Sequence, residues 1–242
     1  AKIAANHLLS LINDTLELSK LENKSVPLYE EVFFLPGLAN ELETIAQMRA
    51  EKGGIAFSLE VPEGGFCNPY LVGSPLYLQQ IFLNLVTNAV KYNYDGGSVH
   101  CALSEERQAE GVSLVTLVVS DTGIGMSPEF LKHLFEPFAQ ANDDARSNYQ
   151  GTGMGMPIVK ALVKNMGGTI SVKSELGRGT TFTVDLPFVI NRTPEKTVEA
   201  SADAEECDIC GMSILLVEDN ELNTEIAQAL LEHDGALITT AA

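Results

Sequence analysis

The chain has 242 residues, 45% of them hydrophobic and 20% charged, which suits one or two globular domains with a core that needs no disulfide staple. A formal net charge of −18 argues against a nucleic-acid-binding surface, which requires clustered Lys and Arg. The surplus is uneven: residues 191–242 hold 12 acidic and 2 basic side chains, a net of −10 against −8 for residues 1–190, so it marks a tail or linker more than a binding face.

In chain order, residues 3–22 place Ile3, Leu8, Leu11, Ile12, Thr15, Leu16, Leu18 and Leu21 at helical spacing. The pattern predicts an amphipathic helix whose wide apolar stripe needs a partner, in this chain or in a second subunit. Pro27 and an extended stretch, 29–34, end it. A helix is expected over 36–52, with Pro36 in its first turn and Gly53-Gly54 as its stop, then an alternating strand over 55–61. Ser74 as N-cap and Pro75 at the first position open a helix expected to run to 94. Strands follow at 98–104 and 112–121, the second β-branched and apolar enough for the centre of a sheet. From 123 to 155 no clear period emerges, as in functional loops. A helix over 154–166 precedes strands at 169–174 and 180–186, joined by Gly177-Arg178-Gly179. Residues 191–212 read as an acidic linker, 213–217 as a short strand and 221–234 as a helix, with the chain ending where another strand would begin.

Three segments carry chemistry. On the helix from Ser74, Gln80, Asn84, Asn88 and Lys91 form a polar stripe on an otherwise apolar rod. An Asn amide oxygen there can ligate Mg²⁺ or meet phosphate and the lysine adds positive charge, although for the stripe taken alone a solvated helix face is the plainer account. Asp121-Thr-Gly123-Ile-Gly125 directly follows a strand. Its carboxylate can accept a hydrogen bond from an amino group such as that of adenine, and its glycines let backbone pass close to a ring; a tight turn is the plain alternative. Gly151-Thr152-Gly153-Met154-Gly155 opens a helix, whose N–H groups and dipole suit phosphate, or else forms a flexible hinge.

Taken together, Asn84-Leu-Val-Thr-Asn88-Ala-Val-Lys91-Tyr92, Asp121-x-Gly-x-Gly, Phe135-Glu-Pro-Phe138 and Gly151-x-Gly-x-Gly, in this order and spacing, resemble the N, G1, F and G2 boxes of sensor histidine kinases. The resemblance implies an α+β fold: a two-layer α/β sandwich of the Bergerat type, shared with gyrase-type and chaperone ATPases, with three helices on one face of a mixed sheet. It implies ATP and Mg²⁺ as cofactors. Asn84 would ligate Mg²⁺, Asn88 and Lys91 would contact phosphates, Tyr92 would border the adenine and Asp121 would bond its amino group. Gly123 and Gly125 would shape the purine pocket, Arg146 would reach the γ-phosphate, and Gly151, Thr152, Gly153 and Gly155 would close on the triphosphate.

Residues 1–27, His7-Leu-Leu-Ser-Leu-Ile-Asn-Asp-Thr-Leu-Glu-Leu-Ser-Lys-Leu-Glu22 above all, resemble the second helix of the family's dimerisation hairpin, placing the catalytic domain at 28–190. The phosphoacceptor histidine belongs to the first helix, and no such box is present; His7, His100, His133 and His233 lack its context. Ile214-Leu-Leu-Val-Glu218-Asp219-Asn, within 213–242, resembles the start of a response-regulator receiver domain, with Glu218 and Asp219 as its Mg²⁺-binding pair and its phosphoacceptor aspartate absent. The expected parent is thus a hybrid histidine kinase cut at both ends, an impression the missing initial Met reinforces. No catalytic residue is assigned in the chain itself, which is expected to transfer phosphate only to an acceptor histidine supplied in cis by the parent or in trans. A receiver domain and a homodimer of the parent are the other implied partners. The resemblance implies a portion that faces the cytoplasm, whether or not the parent is membrane-anchored; in the sequence itself no apolar run spans a bilayer and no signal peptide is evident.

Two readings compete. A gyrase-type ATPase needs a Glu one turn before the Mg²⁺ asparagine as general base, where this chain has Gln80. A non-enzymatic nucleotide-binding module fits the missing acceptor. The single Cys207-x-x-Cys210 lacks the further ligands of a zinc site, and Cys67 and Cys101 complete a set with no disulfide framework.

Overall fold

The computed structural model describes residues 11–16, 18–21, 30–109, 111–139, 152–191, 211–217, 224, 227–228, 231–232 and 235–241. They fall in two units, 1–192 and 193–242. His7, Cys207, Cys210, His233 and residues 192–210 of the expected 191–212 linker lie outside the described residues.

In the first unit, residues 11–16 and 18–21 are helical (α1). Its apolar stripe divides: Leu18 and Leu21 are buried, with Leu11 and Asp14 half-buried on the same side, whereas Ile12 and Leu16 are exposed at 48% and 53%. β1 (Glu31–Phe34) then leads into α2 (Leu35–Lys52), β2 (Ala56–Glu60), β3 (Tyr70–Gly73), α3 (Pro75–Lys91), β4 (Ser98–Ala109), β5 (Val112–Asp121), α4 (Pro128–His133), α5 (Gly155–Asn165), β6 (Thr169–Glu175) and β7 (Gly179–Ile190).

The sheet order is β1-β3-β7-β5-β4-β2, with β6 also on β7, and every pairing is antiparallel except β2 with β4. One face is buried: Val99, Cys101 and Leu103 of β4, Val115, Leu117 and Val119 of β5, and Phe182, Val184, Leu186 and Phe188 of β7. Alternate residues on β5 and β7 are only half-buried, so helices cover a single face and the fold is the expected two-layer α/β sandwich with a mixed sheet. α3 is its central helix. Leu78, Ile81, Phe82 and Leu85 have no exposed surface, each burial contributing about 1.5–3 kcal/mol, so the polar stripe of α3 must face something other than this core. Ser74 caps α3 by accepting from the Tyr77 N–H at 3.4 Å.

Several expectations are corrected. α3 ends at Lys91, not 94, with Tyr92 as its C-cap. β4 continues through Glu105, Glu106 and Arg107 to Ala109 because β5 pairs with it throughout, and β7 runs on to Ile190 to meet β3. β3 and α4 were not expected: one has four residues and the other six, too few for a period to show.

In the second unit β8 (Ser213–Val217) has the expected bounds. The missing strand is present: β9 (Leu237–Ala241) pairs parallel with β8, and residues 224, 227–228 and 231–232 between them are helical. A parallel pair requires such a crossover, so this end of the chain is a βαβ unit and not a strand and helix alone.

Candidate functional site

Asp121 stands at the last residue of β5, opposite Thr180 on β7. Its Oδ1 accepts from the Gly123 N–H at 2.8 Å and the Thr180 N–H at 3.3 Å. Burial pushes its carboxyl above the ordinary 3.8, and those two backbone hydrogen bonds act in the opposite direction. With Oδ1 held by the main chain, Oδ2 is left as an acceptor for a ligand.

Glycines make this placement possible. Gly125, at φ 63°, lies where an added Cβ would come within 2.0 Å of the Glu175 carbonyl oxygen. A Cβ on Gly123 would meet the Tyr92 carbonyl oxygen at 2.3 Å. The loop is also tied on both sides, Ile124 donating to the Tyr92 carbonyl at 3.0 Å and Gly177 donating to the Ile124 carbonyl at 2.7 Å. Tyr92 is 40% exposed at the rim, with the Lys91 ammonium 4.7 Å from its ring centroid.

Asn84 and Asn88 sit half-buried on the face of α3 that meets the first turn of α5. The Asn84 amide nitrogen donates to the Gln80 carbonyl at 2.9 Å, which turns Oδ1 toward Gly155: a Cβ added there would lie 3.1 Å from it. The amide nitrogen of Asn88 donates to the Met156 sulfur at 3.3 Å. Ahead of α5, the Met154 N–H donates to the Thr152 hydroxyl at 3.3 Å, and Gly153 takes φ 71° against Phe138, whose N–H donates to the Gly153 carbonyl at 3.2 Å. Phe138 itself has φ 63°, unusual for a bulky side chain, and is 58% exposed.

The fold thus brings Lys91, Tyr92, Asp121, Gly123 and Gly125 together where α3 and β5 end, and Asn84 and Asn88 against Gly155 and Met156 where α3 meets α5, with Thr152 and Gly153 just ahead of α5. Arg146, Gly151, Glu218 and Asp219 lie outside the described residues. His100 and His133 are spent elsewhere, on Ser58 with Glu60 and on Glu136 respectively.

Three residues escaped the sequence reading. Thr180 positions the Asp121 carboxylate, a role set by strand register and hinted at only by the glycine turn before it. Asn93, 7% exposed, joins the end of α3 to the sheet by donating to the Ser98 carbonyl at 3.0 Å and accepting from the Tyr94 N–H at 2.9 Å. Asp14 of α1 is half-buried, and burial pushes its carboxyl above the ordinary 3.8, with the Thr152 side chain acting in the opposite direction.

Residues 73–190 match the family described as histidine kinase-, DNA gyrase B- and HSP90-like ATPase. The chain is 34% identical over 230 residues to the autoinducer 2 sensor kinase/phosphatase LuxQ of Vibrio vulnificus, a match covering 95% of this chain and 26% of that protein. It is 33% identical over 238 residues to the sensor histidine kinase AruS of Pseudomonas aeruginosa, covering 96% and 22%. The chain therefore spans about a quarter of the length of these relatives. Among solved structures, full-length ShkA in complex with AMPPNP is similar with a TM-score of 0.64 and 27% identity, over 99% of this chain and 46% of that one.

Proposed function

From the premise that residues 73–190 are an ATPase domain of the histidine kinase-, DNA gyrase B- and HSP90-like family, in a chain whose relatives are named sensor kinases, we propose that this chain is the ATP-binding catalytic part of a hybrid histidine kinase. It transfers the γ-phosphoryl group of ATP to a histidine of an acceptor helix, supplied in cis by a longer parent or in trans, as a step of a two-component phosphorelay.

The observation that carries the reading is the meeting of the Asn84–Asn88 face with the α5 first turn in the same unit as the Asp121 pocket. Adenine enters beside Tyr92 with its amino group toward Asp121, and the triphosphate lies toward Thr152, Gly153 and Gly155, where helix N–H groups favour anions. Mg²⁺ takes oxygen ligands and shares them with phosphate, and Asn84 Oδ1 fits it: its own amide nitrogen is already committed to Gln80 and the glycine opposite leaves room. When bound, the ion offsets the charge of the transferring phosphoryl group. Lys91, whose ammonium stands over the Tyr92 ring, adds a cation for the phosphates, with Asn88 as a polar contact.

For the ends of the chain, the exposed Ile12–Leu16 seam of α1 supports pairing with a further helix of a dimerisation hairpin. The parallel βαβ unit supports a receiver-like start, with Glu218 and Asp219 as its Mg²⁺ pair. A cytoplasmic location follows from the use of ATP, and no helix among the described residues is long and apolar enough to cross a membrane.

Calorimetric titration of Mg-ATP into the chain and its Asn84→Ala variant tests the pocket. Binding by the native chain that the substitution abolishes is expected, followed by phosphorylation of a separately supplied acceptor helix. A native chain that binds no Mg-ATP overturns the reading.

A further inference from the structure

The two asparagines of the α3 stripe stand one turn apart on a single face, and each has committed its amide nitrogen within the protein. Asn84 donates to the Gln80 carbonyl at 2.9 Å along its own helix, and Asn88 donates across to the Met156 sulfur at 3.3 Å. Neither Oδ1 accepts a hydrogen bond from a described residue, and among the described residues no buried side-chain oxygen or nitrogen lacks a partner. Both oxygens are therefore open to solvent, on the face that meets the first turn of α5.

The opposite turn of the Asn88 amide is disfavoured. A thioether sulfur accepts hydrogen bonds and has none to donate, so an oxygen placed 3.3 Å from it would meet a second acceptor. Met156 is held in that place: it is 8% exposed in the first turn of α5, and Gly155 beside it lets the turn close on α3, where a Cβ at Gly155 would lie only 3.1 Å from Asn84 Oδ1. A leucine at 156 would fill much the same space and give the amide no preference. The α3 face thus presents acceptor oxygens where a triphosphate presents acceptors too, and the two sets repel each other unless a cation stands between them.

Resting on the nucleotide-binding reading given above, we propose that Met156 is a positioning residue of that site: its sulfur fixes the Asn88 amide with nitrogen inward and oxygen outward, and thereby makes nucleotide binding depend on a divalent cation. Turned the other way, Asn88 would offer an N–H to a phosphate oxygen and serve the free nucleotide as well. Met156 acts through Asn88, and it sets how far the affinity for a triphosphate rises when Mg²⁺ accompanies it.

Calorimetry on the 242-residue chain compares AMPPNP in the presence of Mg²⁺ with AMPPNP in EDTA, and the ratio of the two affinities is the readout. Lost packing weakens both alike and leaves the ratio unmoved, whereas lost orientation changes it. Met156→Leu is expected to weaken Mg-AMPPNP binding by about fivefold, the contribution of one neutral hydrogen bond, while free AMPPNP binds as well as before or better. Asn88→Asp presents an oxygen whichever way the side chain turns. It is expected to keep Mg-AMPPNP binding and to weaken free AMPPNP by about tenfold or more, because a carboxylate repels unneutralised phosphates. In the Asn88→Asp background, Met156→Leu is expected to leave the ratio unchanged. The proposal is overturned, with the nucleotide reading left in place, by a ratio that Met156→Leu does not move in the native background or still moves in the Asn88→Asp background. An Asn88→Asp chain that loses Mg-AMPPNP along with free AMPPNP overturns it too. If the native chain binds AMPPNP under neither condition, the nucleotide reading falls, and this proposal with it.

Discussion

Replacing Asp121 by Asn separates what the carboxylate does for the fold from what it does for a ligand. Oδ1 is held by the Gly123 and Thr180 N–H groups at 2.8 and 3.3 Å, and an amide oxygen accepts both as well. The new NH₂ then occupies the Oδ2 position and presents a donor where the adenine amino group also donates. The loss is a hydrogen bond to a charged acceptor, about 1.5–3 kcal/mol, which corresponds to roughly 10- to 150-fold in Kd. Stability moves the other way. Burial raises the folded-state carboxyl above 3.8, so the folded chain binds this proton more tightly than the unfolded one. The stability from that proton is fully present below pH 3.8 and is lost as pH rises through the raised folded value, leaving a buried charge at neutral pH. Asp121→Asn removes that charge. Thermal denaturation at pH 7 without nucleotide should therefore give a melting temperature equal to or above that of the native chain, while calorimetry shows weakened Mg-ATP binding. A variant that melts well below the native chain, or one that binds Mg-ATP within threefold of it, refutes the reasoning.

Asn84→Ala should lose Mg-ATP binding in calorimetry yet retain adenosine, because it removes the oxygen turned toward Gly155 and leaves Asp121 untouched. Gly125→Ala should destabilise the domain by more than about 1 kcal/mol in urea denaturation, since φ is 63° and the new methyl would fall 2.0 Å from the Glu175 carbonyl oxygen. Cys101 is buried and its thiol is pushed up to about 12, so iodoacetamide at pH 8 should modify exposed Cys67 in the native chain and reach Cys101 only after denaturation, as read by peptide mass spectrometry.

The hydrophobic pattern revealed the helices α2, α3 and α5 and the centres of β2, β4, β5, β6, β7 and β8, because periodic segments announce themselves. Their ends were less legible where a charged residue fell inside an element. Glu105 looked like the start of a loop, and the strand was expected to stop before it. In the structure Glu105 is 9% exposed, satisfied by the Asn68 N–H at 3.1 Å, the Asn68 amide at 2.8 Å and the Ser113 hydroxyl. A buried carboxylate is tolerated when such partners exist, but two of these donors come from a residue 37 positions away, and no local window shows them. β9 escaped for a different reason: its pairing depends on a parallel partner across an intervening helix.

The same distinction divides the site. Positions where the main chain itself demands a residue type could be read in advance, and the glycines are the clearest. Gly179, at φ 100°, would bring a Cβ to 1.9 Å from the Asp121 carbonyl oxygen, just as Gly125 would strike Glu175 and Gly123 would strike Tyr92. These three form one knot, in which the hairpin between β6 and β7 packs its backbone against the end of β5 and the loop beyond it. The Asp121 carboxylate is aimed by that knot through the Gly123 and Thr180 N–H groups, so Gly177-Arg178-Gly179, read as a simple turn, belongs to the pocket as much as Gly123 and Gly125 do. Contacts between side chains remote in sequence left no such trace. Asp14 looked like one polar residue on an amphipathic helix, and only the placement of α1 beside α5, where the Asn165 amide reaches the Leu21 carbonyl, half-buries it. A carboxylate in the otherwise apolar 3-4-3 seam of Leu11, Leu18 and Leu21 was the available signal, because desolvation works against a charge there.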